Sequence, residues 1–170
     1  QVLAQCLMAA NQTVDESMLA HSMHAYFLRA GDPNAPIEFE VDPIRNGRSF
    51  ATRRVVARQH EQAIFNTSIS YQIYEHGVEH CAEMPDVALD QFDGTQPKRA
   101  DGKERWPLLA RYGVERMPGK QGSDATGAAS QSNWYRVVGM IGDDQRQHQA
   151  GLALISDFSL LSTTVLAHNA

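Results

Sequence analysis

The chain has 170 residues, enough for one sizeable domain or two small ones, and its 42% hydrophobic and 21% charged residues are ordinary for a globular protein. Its net charge of −5 argues against the basic surface of a nucleic-acid-binding protein, and no stretch approaches the ~18 consecutive apolar residues of a membrane span. We therefore expect neither nucleic acid nor membrane as a partner. Two cysteines, Cys6 and Cys81, do not make a disulfide framework and favour a reducing compartment.

The first half of the chain predicts one helix followed by strands. Residues 1–13 place apolar side chains at helical spacing, which predicts an apolar helix. Residues 19–28 include the aromatic residues Tyr26 and Phe27, which favour a strand. Residues 37–42 alternate strictly between apolar and acidic side chains, which predicts a strand with one buried face. The sequence Arg45-Asn46-Gly47 then gives the strongest short signal for a hairpin.

Two more strands follow that hairpin. Residues 49–59 form the returning strand, residues 60–62 turn the chain, and residues 63–74 form another long strand. An apolar helix followed by about four antiparallel strands predicts an α+β hot-dog fold, in which a curved antiparallel sheet wraps a central helix. We expect residues 1–75 to form a nearly complete hot-dog domain that lacks its N-terminal strand.

The second half is predicted to start another hot-dog domain. Residues 76–132 are rich in glycine, proline and polar residues, which predicts a linker with one possible strand within 106–117 and a flexible part at 121–132. Residues 133–170 would begin the second domain with a strand at 133–141. Because the sequence starts without Met inside a helical pattern and shows no signal peptide, we expect an internal part of a longer protein.

Residues 147–167 contain one formal charge, Asp157, in a helical pattern that is apolar nearly all round. Such a helix is expected to be enclosed by other structure, where a carboxylate is costly to bury. The carboxylate is therefore a candidate for catalysis, and the alternatives are a frayed helix end or a structural ion pair. Two apolar helices also indicate an internal duplication, in which Ala9 would lie opposite Asp157.

The sequence resembles the acyl-CoA thioesterase II family of double hot-dog acyl-CoA hydrolases. The resemblance is carried, in the order of the family, by the blocks QVLAQCLMAANQTV, HSMHAYFLRAGDPNAPIEFEV, RNGRSFATRRVVARQ, IFNTSISYQ, GVEHCAEMP and HQAGLALISDFSLL. It implies hydrolysis of fatty acyl-CoA to free CoA and a fatty acid. It also implies that an Asp, a hydroxyl residue and a Gln together activate water. Asp157 matches the Asp, whereas the other two groups lie beyond Ala170, so we expect this chain alone to be inactive.

The resemblance also directs attention to possible substrate-binding residues. His21 is a candidate for the thioester site, although a structural cross-strand histidine is the alternative; His24, three residues on, is predicted to lie on the opposite face of the strand. CoA carries phosphates, which suit arginine, and Arg48 and Arg53 are our candidates. Because Arg53 and Arg54 point to opposite faces, only part of the arginine cluster can meet one ligand, and a solvated face paired with acids is the alternative.

Two other patterns carry no catalytic prediction. His76, His80 and Cys81 have incomplete metal-ligand spacing, so we predict no metal and no cofactor. The pair Asp143-Asp144 is interpreted as a turn with a helix-capping acid.

Three functions compete on this sequence. The first is an acyl-CoA thioesterase, and the second is a hot-dog hydratase or dehydratase, which would need His21 and Asp157 to converge. The third is a non-catalytic acyl-CoA-binding module. We expect the complete protein to form homo-oligomers and to be cytoplasmic, or peroxisomal in a eukaryote.

Overall fold

The computed structural model describes the chain in several ranges, residues 1–83, 101–103, 109, 112–123, 129–139, 141–158 and 160–166. The chain divides into two compact units, Gln1–Val78 with Ile141–Ser156, and Glu79–Met140 with Asp157–Ala170. Within the described ranges, no helix has both the length and the apolar character needed to cross a membrane.

The first unit begins with a helix and a four-stranded antiparallel sheet. The elements are α1 (Val2–Asn11), β1 (Met18–Phe27), β2 (Glu38–Asn46), β3 (Phe50–Gln59) and β4 (Gln62–Ile73). The strands lie in the order β1-β4-β3-β2, so β1 and β2 are the edges of the sheet. The predicted helix and all four predicted strands are confirmed. Their boundaries agree within two residues, except that β2 continues four residues past its predicted end, to Asn46.

One face of α1 and one face of the sheet form the core. In β3 the buried residues alternate with more exposed ones, as expected for a strand with one covered face. The apolar core residues of the helix and the sheet are Cys6, Leu7, Ala10, Met18, Ala51, Val55, Ala57, Ile64, Phe65, Ile69 and Tyr71. The helical spacing in residues 1–13 therefore identified the side of α1 that packs on the sheet.

Both predicted turns of the sheet are confirmed. Asn46 ends β2, and the Gly47 amide donates a hydrogen bond to the Phe50 carbonyl over 2.8 Å, which closes the first hairpin. The second turn places His60 and Glu61 at φ angles of 49° and 63°. Two successive left-handed residues match the twist of paired strands, although neither is a glycine or asparagine.

The helix predicted over residues 147–167 is two helices, and that prediction is wrong in this respect. Helix α2 covers Gln145–Ser156 and helix α3 covers Leu160–Leu166. At the end of α2 the Ser156 hydroxyl donates to the Ala153 carbonyl over 3.0 Å, a local bond that competes with continuation of the helix. At its start Asp144 accepts a hydrogen bond from the Arg146 amide over 2.9 Å, which confirms the predicted helix-capping acid.

Helix α2 packs against α1 and the edge strand β1 in the first unit. None of its residues is buried, and Leu152 is 64% exposed. In this chain other structure therefore covers only one side of the helix, whereas its apolar pattern predicts enclosure all round in the complete protein. The helix makes its contacts on one side only, where it packs on α1 and β1.

The second unit contains β5 (Val114–Ser123) and β6 (Ala129–Val137), paired antiparallel, with α3 beside β6. Of the strand predicted within 106–117, residues 114–117 belong to β5, and residues 106–108 and 110–111 lie outside the described residues. Residues 121–123 and 129–132, predicted as a flexible linker, are parts of strands. The strand predicted at 133–141 is the later part of β6. These boundaries were wrong because glycine, serine and glutamine carry no apolar alternation, while cross-strand pairing still organises them.

The C-terminal end of α1 is held by a buried arginine from β3. Arg53 is only 3% exposed, and its guanidinium donates to the Thr13 hydroxyl and carbonyl, each over 2.7 Å. It also donates to the Arg45 carbonyl over 2.9 Å and to the Asn46 side chain over 2.7 Å. A cation beside the last carbonyls of a helix complements the helix dipole, so Arg53 fixes α1 against the first hairpin.

A second arginine joins α2 to the same place. Arg146 donates hydrogen bonds to the backbone carbonyls of Asn11, Asp15 and Met18. Beside it the buried Tyr71 hydroxyl donates to the Asn11 side chain over 3.0 Å, and burial raises the pKa of Tyr71, which keeps this donor protonated.

We predict that Arg53→Met lowers the free energy of unfolding by about 2 kcal/mol, because it removes the buried guanidinium whose hydrogen bonds hold the Thr13 carbonyl and the Asn46 side chain. The matched control is Arg54→Met. The Arg54 side chain is 58% exposed and pairs with Asp42 at 3.2 Å, so its loss is expected to cost less than ~1 kcal/mol. Urea denaturation followed by circular dichroism measures both, and equal losses would contradict the structural role of Arg53.

We also predict that Cys6 resists alkylation in the folded chain. Burial raises the pKa of Cys6 to about 12, so almost no thiolate is present at pH 8.5, whereas Cys81 is exposed. Iodoacetamide should therefore add one group to the native protein and two after denaturation, as read by intact mass. Rapid labelling of both thiols under native conditions would show that the helix–sheet core opens readily.

Candidate functional site

The first unit contains a cavity of about 270 Å³ between α1, α2 and the strand β1. Its walls are mostly apolar. The apolar lining residues are Leu3 and Leu7 from α1, Ala20 and Met23 from β1, and Leu152 and Ala153 from α2. Such a cavity can desolvate an alkyl chain or another small apolar group.

A glutamine at the cavity ties α2 to the edge of the sheet. The Gln149 Nε2 atom donates a hydrogen bond to the Ala20 carbonyl over 2.8 Å, which satisfies an edge-strand acceptor. Within the described ranges, the buried Oε1 atom of Gln149 has no hydrogen-bond donor. Because the Ala20 carbonyl can only accept a hydrogen bond, the amide atom that faces it must be the nitrogen, Nε2. The Oε1 atom of Gln149 is therefore the hydrogen-bond acceptor that has no donor in the described part of the chain.

His21 lies at the cavity, at an irregularity in β1. The pairing of β1 with β4 shifts between Ala20 and Ser22, so one extra residue bulges from the edge strand. The His21 ring is edge-on to the Phe50 ring, with centroids 6.2 Å apart, on the face of the sheet opposite the core. His24 also lies on that outer face, where its ring contacts Tyr26. The prediction of opposite faces for the two histidines is wrong because the bulge interrupts the alternation of β1.

Asp157 is the first residue after α2, and it is exposed. The enclosed, apolar surroundings that the sequence led us to expect for this carboxylate are therefore not present in this chain. Ser156, the residue before it, lines the cavity at the end of α2. The sequence placed Asp157 inside a helix, whereas the structure places it where the helix has ended.

The arginines of the first hairpin fall into different groups. Arg53 is buried and donates to protein acceptors, which favours a structural role over contact with substrate. Arg54 pairs with Asp42 at 3.2 Å and Arg58 with Glu40 at 3.1 Å on the exposed face, as the alternative of a solvated face predicts. Arg48 is exposed at the hairpin itself. The predicted divergence of neighbouring side chains on β3 is confirmed by the contrast between Arg53 and Arg54.

His76, His80 and Cys81 are all exposed in the segment after β4. The His76 ring contacts the Tyr74 ring, with centroids 5.1 Å apart. In the part of the chain that the structure describes, no three His, Cys, Asp or Glu side chains are grouped so as to hold a metal ion.

Leu7 and Gln149 were not predicted from the sequence as residues of the site. A signal was available for the glutamine: a polar amide opening an otherwise apolar helix needs a hydrogen-bond partner if that helix packs on another element. The cavity itself depends on the packing of α2 on β1, which sequence periodicity does not contain.

The chain is similar in sequence to acyl-CoA thioesterases. The family model described as the acyl-CoA thioesterase N-terminal domain matches residues 1–72. Acyl-coenzyme A thioesterase 8 of Mus musculus is 33% identical over 99% of this chain and 58% of its own length. Acyl-CoA thioesterase 2 of Haemophilus influenzae is 33% identical over 99% of this chain and 62% of its own length. A peroxisomal acyl-coenzyme A thioester hydrolase of Saccharomyces cerevisiae is 32% identical over 56% of this chain and 27% of its own.

Solved structures give the same fold. The acyl-CoA thioesterase II TesB2 of Mycobacterium marinum superposes with a TM-score of 0.82 at 32% identity, over 99% of this chain and 62% of that one. A hot-dog protein of Alicyclobacillus acidocaldarius superposes with a TM-score of 0.63 at 18% identity, over 88% of this chain and 56% of that one. The predicted hot-dog fold is confirmed.

The chain spans about three fifths of the length of these thioesterases. The match nevertheless runs through both units, from α1 to the helix that precedes Asp157 and beyond it. The chain is therefore similar along its length to acyl-CoA thioesterases, and its residues 1–72 match the model of their N-terminal domain.

Proposed function

We propose that the complete protein hydrolyses the thioester bond of fatty acyl-CoA and releases CoA and a fatty acid. The observation that carries this proposal is the identity of 33% to two acyl-CoA thioesterases over 99% of the chain. The apolar cavity of the first unit supports it, since an acyl chain is the part of the substrate that gains from leaving water.

Asp157 is the proposed general base. A water molecule attacks the thioester carbonyl carbon and transfers one proton to the Asp157 carboxylate. The resulting tetrahedral intermediate collapses with cleavage of the carbon–sulfur bond, and the CoA thiolate leaves and takes up a proton. Support for this role comes from the ISDF block, which resembles the family's catalytic Asp, and from the exposure of Asp157 to the solvent that supplies the reactant.

The same proposal assigns His21 and Arg48 to substrate binding. His21 lies at the bulge of β1 among the residues that line the cavity, which supports its assignment to the polar part of a bound thioester. Arg48 is an exposed cation at the tip of the first hairpin, which suits a phosphate of CoA. Arg53 is left out of this assignment because its guanidinium is engaged by the protein.

Location and assembly are proposed more broadly. We place the protein in the cytoplasm, or in peroxisomes if its source is eukaryotic; the Saccharomyces cerevisiae relative supports the second of these. We also propose that the complete protein forms homo-oligomers. The exposed apolar side chain of Leu152 is the kind of surface that further structure covers.

We predict that Asp157→Asn in the complete protein lowers kcat by about 10²- to 10⁴-fold while acyl-CoA still binds, because an amide cannot accept the proton from water. The matched control is Asp143→Asn, an exposed acid in the turn before α2, which should leave kcat unchanged. Release of the CoA thiol, followed with a thiol reagent, measures both. Equal turnover in Asp157→Asn and wild type would remove this residue from the mechanism, and binding without thiol release by the wild type would favour the acyl-CoA-binding module.

We also predict that Arg48→Ala raises KM for acyl-CoA about three- to fivefold with little change in kcat, and that added salt shrinks the difference. Arg54→Ala is the control, since Arg54 lies on the same hairpin but is already paired with Asp42. Steady-state kinetics at low and high salt distinguish the two. A KM that Arg48→Ala leaves unchanged at low salt would show that the phosphates bind elsewhere.

A further inference from the structure

The cavity of the first unit has a closed side and an open side. Leu7 lines it and is only 3% exposed, since it also belongs to the core between α1 and the sheet. Leu152 lines it as well, yet this side chain is 64% exposed. The lining thus includes a solvent-facing leucine on α2 and a core leucine on α1, which gives the cavity an exposed wall and a buried one.

The size of the cavity indicates which part of a ligand it takes. Pockets that enclose a whole small ligand usually measure ~300–1,000 Å³. A volume of about 270 Å³ lies just below that range, and the lining is mainly leucine, methionine and alanine. The cavity therefore suits the alkyl part of a larger substrate, with the polar remainder outside it.

We propose that Leu7 forms the floor of the acyl site and sets the longest acyl chain that the first unit accepts. This inference rests on the proposed thioesterase function and names the residue that limits its substrates. Methylenes that fit between Leu152 and Leu7 leave water, whereas methylenes beyond the floor stay in solvent or force the core apart. Affinity should therefore rise with chain length up to a limit and then level off.

Binding of unhydrolysable S-alkyl-CoA thioethers of increasing length to the 170-residue chain tests this, by calorimetric titration. For the wild type we expect affinity to rise about fourfold for each added methylene, up to a limiting length. In Leu7→Ala the limit should move outward by about two methylenes, so the longest thioethers should bind on the order of tenfold more tightly than to the wild type. Leu7→Val removes less of the side chain and should move the limit by about one methylene, which keeps the test open if the alanine variant does not fold.

The matched control is Val55→Ala, which removes part of a fully buried side chain of the same core, and the strand neighbours of Val55, Val41 and Thr67, do not line the cavity. It should lower stability and leave the limiting length unchanged. An unchanged limit in both Leu7 variants, an equal shift in Val55→Ala, or a wild type with no limit would each overturn the proposal. Failure of the proposed function has a different signature, since it would appear as absent thiol release by the complete protein whatever the binding profile.

Discussion

The arrangement of the first unit depends on how the backbone carbonyls at the end of α1 find hydrogen-bond donors. The last carbonyls of any helix lack partners within the helix, and no basic residue lies in the last turn of α1. The Gln12 and Thr13 amides donate to the Ala9 and Ala10 carbonyls. Two arginines from elsewhere in the chain supply further donors, Arg146 from α2 to the Asn11 carbonyl and Arg53 from β3 to the Thr13 carbonyl just beyond the helix. Arg53 thereby joins α1 to the sheet, and Arg146 joins α2 to α1 and to the sheet.

The cavity follows from these contacts. Arg146 and Gln149 lie three residues apart on α2 and bond to the Met18 and Ala20 carbonyls, two residues apart on β1. These two long side chains therefore hold α2 beside the edge strand. Farther along, the bulge at His21 interrupts the pairing of β1 with β4, and the space between helix and strand is lined by apolar side chains.

Much of this fold was predictable from the sequence, because many of its helices, strands and turns are determined by residues that are close together in the chain. The period of α1, the alternation of β2 and the Asn46-Gly47 turn each depend on residues close together in the chain, and all three are confirmed. The bulge at His21 was not predictable, since it arises from the pairing of β1 with β4 and leaves no mark on composition. The buried state of Arg53 was equally hidden, because its acceptors on Thr13 lie far away in the sequence.

The part of the candidate site that the sequence described least well is the surroundings of Asp157. An apolar pattern through residues 147–167 implied one enclosed helix, but periodicity reports only which side chains are apolar, not where hydrogen bonding stops. The Ser156 hydroxyl bonds back to Ala153, and Asp157 and Phe158 turn the chain before α3. A carboxylate that has left its helix has backbone freedom that a helical one lacks. A base that must meet both water and a thioester is better served by that position than by burial among leucines, where its ionised form would be disfavoured.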